Sequence, residues 1–338
     1  MVALARRDFN RLMAGAAVGL VAQGAAPAQA ADFSYKFGHA FPLNHPIHIA
    51  ALAVATRVSA ETNGVVDIEV LGASQLGGDN NLMSQVRSGG IDFYAGAGSV
   101  FATVFPIASI WAMGFAFGNY GEVWAAVDGE LGDRVRAGAR GVGLVPFDVV
   151  WDNGFREVST GARPINDAKD LKGIKIRVPV SPSLISLFQN LGASPVSLNF
   201  GEVYTALQAH LVDAQESPLS IFETGNFYEV QKYLALTNHS WDGGFIVGNR
   251  ASWAALPSDM QAIASRIFNE EGLKQRTASA VLADSLRASL TERGVAFTEP
   301  SRAAMIDVLK ERGYYREWRQ KYGEAAWQSL TRYSPAVS

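Results

Sequence analysis

Leu171-Lys172-Gly173-Ile174-Lys175-Ile176-Arg177-Val178-Pro179 reads as a turn followed by a short strand. Gly173 supplies the turn, because a residue without a Cβ takes left-handed backbone angles freely. Ile174, Ile176 and Val178 alternate with Lys175 and Arg177, the period of two of a strand. Pro179 lacks the N–H that a central ladder needs, so the strand ends there. Arg177 therefore falls near the carboxyl end of a strand, where α/β sheets open onto their ligand clefts. Its planar guanidinium matches a carboxylate with two parallel hydrogen bonds. Taken alone, the same Arg suits an edge strand in water. The rest of the chain decides between the two.

Upstream, Ser34–Ala40 looks like a first strand ending in a loop. Pro46 suits the first turn of a helix. Ile47, Ala50, Ala53, Val54 and Val58 recur at helical spacing up to Asn63-Gly64. Asp67–Leu71 is a second strand, Leu82 and Val86 mark a short helix, and Ile91–Gly96 is a third strand. This is βαβαβ, the pattern of a parallel sheet faced by helices. Phe101–Gly118 reads as buried helix and loop, and Gly143–Trp151 as a further strand. Asn153-Gly154-Phe155-Arg156-Glu157 reads as a turn into a second αβ set. That set holds the Arg177 strand, a helix over 183–191, a strand at 196–198, a helix over 202–210 and a strand at 212–216. Another strand surrounds Trp241–Val247, with Gly243-Gly244 allowing a backbone crossing. Ser258-Asp259-Met260-Gln261 has the form of a capping box. No proline interrupts the chain from there to Arg293, so one helix of ~50 Å is expected. Such a helix would tie two lobes together. The tail, Met305–Tyr322, reads as amphipathic helix.

The chain has 338 residues, enough for two full cores, with a net charge of −3 and a pI near 6.0. That balance gives no basic surface, so nucleic acid is not an expected partner. There is no cysteine, which excludes disulfides and thiolate metal sites. Arg6-Arg7-Asp8-Phe9, the apolar run Leu12–Ala22 and Ala28-Gln29-Ala30 form the parts of an export signal. The paired arginines resemble a twin-arginine signal. A signal over 1–30 and a soluble mature protein from Ala31 are expected, the run being too short to span a bilayer.

The motifs then line up with a family. Leu76-Gly77-Gly78-Asp79, Gly90-Ile91-Asp92-Phe93, Trp151–Arg156, Leu171–Pro179, Gly192-Ala193-Ser194-Pro195, Glu202–Gln208, Val212–Pro218, Phe227–Tyr233 and Thr237-Asn238-His239 follow in order. The chain resembles the extracytoplasmic solute receptors of tripartite ATP-independent periplasmic (TRAP) transporters over nearly all of its mature length. The resemblance implies an α/β, two-lobed, type II periplasmic-binding-protein-like fold. Its hinge strands cross between lobes and a long helix spans both. We expect lobe I over 31–153 and 243–283, and lobe II over 154–242 and 284–338. It also implies a periplasmic, monomeric binding protein that passes an organic anion to small and large membrane permease subunits. No cofactor, metal or catalytic group is expected.

Residue by residue, the resemblance gives Arg177 the ligand carboxylate, and places Arg156 and Phe200 beside it. Ser217 stands where several members have Asn. Ala40 and the loop Ala95-Gly96-Ala97-Gly98-Ser99-Val100 replace polar or charged contacts of sialic-acid-type members. These departures point to a monocarboxylate with an aromatic or apolar body, walled by Trp111, Trp151, Phe155, Phe200, Trp241 and Phe245. His39, Asp242 and Asn199 would read hydroxyl or keto groups. Each aromatic taken singly suits core packing better, and each polar residue suits a structural place at least as well. A sugar acid is the alternative ligand. A secreted hydrolase is the alternative class, with little behind it. His39, His45, His48, His210 and His239 are scattered, with no His-Glu-x-x-His helix or Gly-x-Ser-x-Gly elbow.

Overall fold

A computed structural model describes residues 31–337; the expected export signal lies outside the described residues. The chain begins as the βαβαβ unit its periodicity predicts. β1 (Phe33–His39), α1 (Pro46–Glu61), β2 (Val66–Leu71), α2 (Asp79–Ser88) and β3 (Phe93–Ala97) follow in order. β2 and β3 flank β1, both parallel to it. Pro46 opens α1, and the His45 imidazole caps it by accepting the Ile47 N–H at 3.2 Å. The aromatic-rich stretch then passes through the core as two 3-10 turns, Gly98–Thr103 and Pro106–Ala112.

α3 (Tyr120–Val127) and α4 (Glu130–Gly141) lead to β4 (Leu144–Pro146) and β5 (Trp151–Thr160). The strand expected over 143–151 stops at Pro146, and the residues read as a turn, 153–157, lie inside β5. β-bulges between Asp152 and Gly154, and between Arg156 and Val158, let the strand absorb them. Gly154 takes φ 115°, which a side chain would oppose. Arg136 is buried and donates to the carbonyls of Val127 and Asp148 and to Asp133.

The second αβ set is β6 (Lys175–Val178), α5 (Pro182–Asn190), β7 (Ser194–Ser197), α6 (Val203–Gln208) and β8 (Ala214–Pro218). β6 lies between β7 and β8, parallel to both. α7 (Leu219–Thr224) precedes β9 (Tyr233–Asn249), which starts well before the expected 241. β9 is antiparallel to β3 and to β5, and β5 is antiparallel to β8. The strand order is thus β2-β1-β3-β9-β5-β8-β6-β7. Two parallel halves are joined through the antiparallel pair β5 and β9.

α8 (Arg250–Ala255) leads to α9 (Ser258–Glu292), 35 residues long and therefore ~52 Å. The capping box does not form. Pro257 is the N-cap, and Gln261 donates instead to the carbonyls of Trp253 and Leu256. Arg57 of α1 pairs with Glu270 and Glu271 on α9, while Arg293 just past its end pairs with Glu223 of α7. The helix therefore bridges elements that belong to opposite halves of the sheet. β10 (Ala296–Thr298) pairs with β9. The tail is three helices rather than one: α10 (Arg302–Glu311), α11 (Tyr314–Tyr322) and α12 (Glu324–Thr331), separated at Gly313 and Gly323.

Candidate functional site

Arg177 is 3% exposed. Its Nε and Nη2 donate to the Leu198 carbonyl at 3.1 and 2.8 Å, which fixes the guanidinium plane across β6 and the chain leaving β7. Among the described residues no carboxylate pairs with it. Burial pulls its pKa down to about 10, with Arg156 adding repulsion and Glu216 opposing. A buried cation in this state is costly unless something anionic joins it.

Arg156 is placed differently. Its Nε and Nη2 grip the Glu216 carboxylate at 2.5 and 2.9 Å, and Nη1 donates to Asp242 at 3.2 Å. Although burial pushes the Glu216 carboxyl up, the Arg156 guanidinium and His239 hold it below its ordinary value. His239 lies 3.0 Å from Glu216 through Nε2 and 2.8 Å from the Thr237 hydroxyl through Nδ1. Burial lowers its pKa, so it is neutral, and a proton on Nε2 serves both contacts. Asp242 accepts from the Ser99 N–H and hydroxyl at 3.2 and 2.9 Å, and burial raises its pKa to about 6. β5, β8 and β9 thus hold Arg156 through a closed network of buried partners.

Both arginines face one cavity. Its volume is about 40 Å³ counted over the centres of water-sized spheres, room for about three waters. Ala40, Phe41, Ala97, Val100, Phe200 and Ile221 form most of its apolar wall, and Asp79, Asn153 and Ser217 add polar groups. The Asp79 Oδ1 accepts from the Tyr94 hydroxyl at 2.9 Å, and burial raises its pKa. Asn153 Oδ1 and Ser217 Oγ are buried with no hydrogen-bond partner.

Arg177, Arg156, Phe200 and Ser217 are therefore brought together, along with the small residues Ala40, Ala97 and Val100. Other expected site residues lie elsewhere. Asp242 stands behind Arg156 and outside the wall. Trp241 is buried, its indole N–H donating to Asp152 at 3.0 Å. His39 is buried against His48 at 2.9 Å, its pKa lowered to about 3 by desolvation first and by His48 second. Phe155 faces a second cavity beside Tyr120. Asn199 is outside the wall and packs on Gly78, where an added Cβ would sit 2.7 Å from its Cγ. Trp111, Trp151 and Phe245 are fully buried in the core. Asp79, Asn153 and Phe41 were not singled out. The first two sit within quoted motifs, and Asp79 opens α2, which was the available signal.

The sequence matches the family described as bacterial extracellular solute-binding protein, family 7, over residues 37–321. It is 32% identical over 277 residues to the 2,3-diketo-L-gulonate-binding periplasmic protein of Escherichia coli, covering 82% of this chain and 84% of that one. Among solved structures it resembles the sugar-acid-binding protein of Advenella mimigardefordensis in complex with galactonate. The TM-score there is 0.86 at 26% identity, over 91% of this chain and 100% of that one. It also resembles a TRAP periplasmic solute-binding protein of Sulfurospirillum deleyianum with bound succinate. That TM-score is 0.84 at 28% identity, over 89% and 99% of the two chains.

Proposed function

The chain belongs to family 7 of the bacterial extracellular solute-binding proteins, and from that premise we propose that it is the periplasmic TRAP receptor for a sugar acid, a hydroxylated monocarboxylate. It is a binding protein and not an enzyme. The observation that supports the ligand class is the unpaired, buried Arg177.

The charges decide between ligands. Arg156 is held by two carboxylates, Glu216 and Asp242, behind the wall. Arg177 has no carboxylate in contact among the described residues, so a single carboxylate on the ligand gives it a partner. A second carboxylate on the ligand would meet Asp79 in the same small space, an unfavourable like-charge contact. The succinate of the Sulfurospirillum protein is thus a poor guide here. The body of the ligand meets Asp79 and Asn153 Oδ1, which accept from hydroxyl groups, and Ser217 Oγ, whose hydroxyl also donates to a keto or hydroxyl oxygen. The aromatic-body reading rested on Trp111, Trp151, Trp241, Phe155 and Phe245, which lie outside the wall; Phe200 is in it. The sugar-acid alternative is therefore preferred, in keeping with the names of the Escherichia coli and Advenella proteins.

Binding is closure of the two lobes over the anion. The proposed lobe boundaries fall inside β5, β9 and α9, so the three segments bend together. Hydrogen bonds to a charged group contribute roughly 1.5–3 kcal/mol each, and a micromolar complex needs about 8 kcal/mol. The free donors of Arg177 supply much of that, and hydroxyl contacts the remainder. The closed complex is then handed to the membrane permease. Titration calorimetry with an aldonate, a 2-keto-aldonate, succinate and a hydroxycinnamate tests the reading. The aldonates should bind at micromolar concentration or below. Preferential binding of succinate or of the hydroxycinnamate overturns it.

A further inference from the structure

Gly96 is one of the small residues at the end of β3, and it lies under the tip of Tyr94. A Cβ added there would sit 2.4 Å from the Tyr94 hydroxyl oxygen. Residues two apart share one face of a strand. Tyr94 leans along that face, and its hydroxyl crosses the space a side chain at Gly96 would fill. The hydroxyl then donates to Asp79 Oδ1 at 2.9 Å. Tyr94 is fully buried, with the Phe101 ring packed on it at 5.2 Å. A buried phenol needs a partner for its O–H. The partner here is a side chain in the wall of the ligand cavity, while Tyr94 stands outside that wall.

Asp79 opens α2, where the helix dipole favours a carboxylate. Desolvation raises its pKa, and the Tyr94 hydroxyl and the charge of Arg177 on β6 oppose that rise. Burial, with Asp79 and with Asp242 of β9 adding to it, holds the Tyr94 phenol well above its ordinary value. Tyr94 therefore keeps its proton and remains a donor whenever Asp79 titrates. A hydrogen bond given to a carboxylate favours the charged form over the protonated one.

We propose that Tyr94 is a positioning residue for ligand selection: through its bond to Asp79 it keeps a charged acceptor in the cavity wall, and Gly96 is the residue that lets it reach. This rests on the reading that Asp79 meets the ligand body. With Oδ1 held by Tyr94, the other carboxylate oxygen is left for a ligand hydroxyl. Charged, Asp79 accepts from that hydroxyl and repels a second carboxylate. Protonated, it loses the repulsion. Tyr94 thus sets the pH at which the preference for a monocarboxylate gives way.

The test compares wild type with Tyr94→Phe, which deletes the hydroxyl, and Gly96→Ala, whose new Cβ displaces it. In the ligand-free protein the Asp79 carboxyl carbon is titrated by NMR, its signal assigned by its absence in Asp79→Asn. The midpoint should lie at higher pH in both variants. Calorimetry then sets L-gulonate against D-glucarate, and D-galactonate against galactarate, pairs in which a second carboxylate replaces the terminal hydroxymethyl. Near the wild-type midpoint, Tyr94→Phe should raise the affinity for the diacid relative to the monoacid about fivefold. The difference should fade by about pH 8.5, where Asp79 is ionised in every variant that keeps it. Asp242, raised to about 6, titrates nearby. In an Asp79→Asn background it still does so, and there Tyr94→Phe should leave the pH profile unchanged. If the Asp79 midpoint stays in place in either variant, or the ratio shifts equally at every pH, the proposal is overturned and the sugar-acid reading stands. If Asp79→Asn leaves the ratio unchanged, or neither monoacid binds the wild type, the ligand reading falls and this proposal with it.

Discussion

Arg156 and Glu216 meet fork to fork, Nε to Oε2 at 2.5 Å and Nη2 to Oε1 at 2.9 Å, across the adjoining strands β5 and β8. The pair is fully desolvated, and Asp242 leans on the same guanidinium from β9. Arg156→Met removes the cation that, among the described residues, alone contacts these two buried carboxylates. The unfolding free energy should drop by about 3–5 kcal/mol, read as a lower urea midpoint at unchanged m-value. A midpoint equal to wild type would mean that Glu216 and Asp242 do not depend on that charge.

Arg177 should behave in the opposite way. It is buried without an acid, so Arg177→Met relieves an unpaired charge, and the ligand-free protein should be as stable as wild type or more so. Affinity for an aldonate should fall by about 100-fold or more as two charge-assisted hydrogen bonds disappear. Arg177→Lys should also bind weakly, because an ammonium cannot reproduce the planar fork. Calorimetry and urea unfolding on the same preparations separate the two effects. Unchanged affinity in either variant would take Arg177 out of the site.

Asp79 should govern which acids enter. Asp79→Asn removes the negative charge that faces the ligand body but keeps an acceptor. Affinity for succinate should rise about tenfold, and aldonate affinity should fall by a similar factor as a charged acceptor becomes neutral. Competition binding with both acids checks the direction. No shift in their ratio would mean that Asp79 does not touch the ligand.

Glu157 gives a pH signature. Burial raises its pKa to about 8 from an ordinary 4.5, hydrogen bonds from Asn238 and Thr237 opposing. The folded state then binds more protons than the unfolded chain between those values, so this group's stabilising contribution is lost as pH rises from about 4.5 to 8. His39 and His45, both lowered to about 3, act the other way below pH 6.5. Glu157→Gln should therefore gain Tm on wild type progressively from pH 5 to 8, measured in choline buffers. A constant difference across that range would show that Glu157 titrates normally.

Much of this fold was legible because its strands and helices are short-period patterns. The alternation around Arg177 placed that side chain at a strand end and in the cleft. The same logic failed at Asn153-Gly154, where residues typical of turns occupy a bulge inside β5. A bulge changes which face later side chains occupy, so Phe155, expected in the ligand wall, faces the second cavity instead. The aromatics failed for another reason. Trp111, Trp151 and Trp241 have the composition of a binding wall and of a core alike, and only tertiary packing assigns them to the core. Asp79 carries no such pattern: it stands in a quoted motif at the start of α2, and its place in the cavity wall shows only once the elements are packed.

The chain passes between the two halves of the sheet three times, in β5, β9 and α9, so neither half is one uninterrupted piece of sequence. A single genetic crossover cannot trade one half for that of a relative. Each exchange would split a strand or the long helix. New ligand preferences in such a molecule are therefore reached most readily by individual replacements in the cavity wall, at positions such as Ala40, Asp79 and Ser217, rather than by shuffling modules.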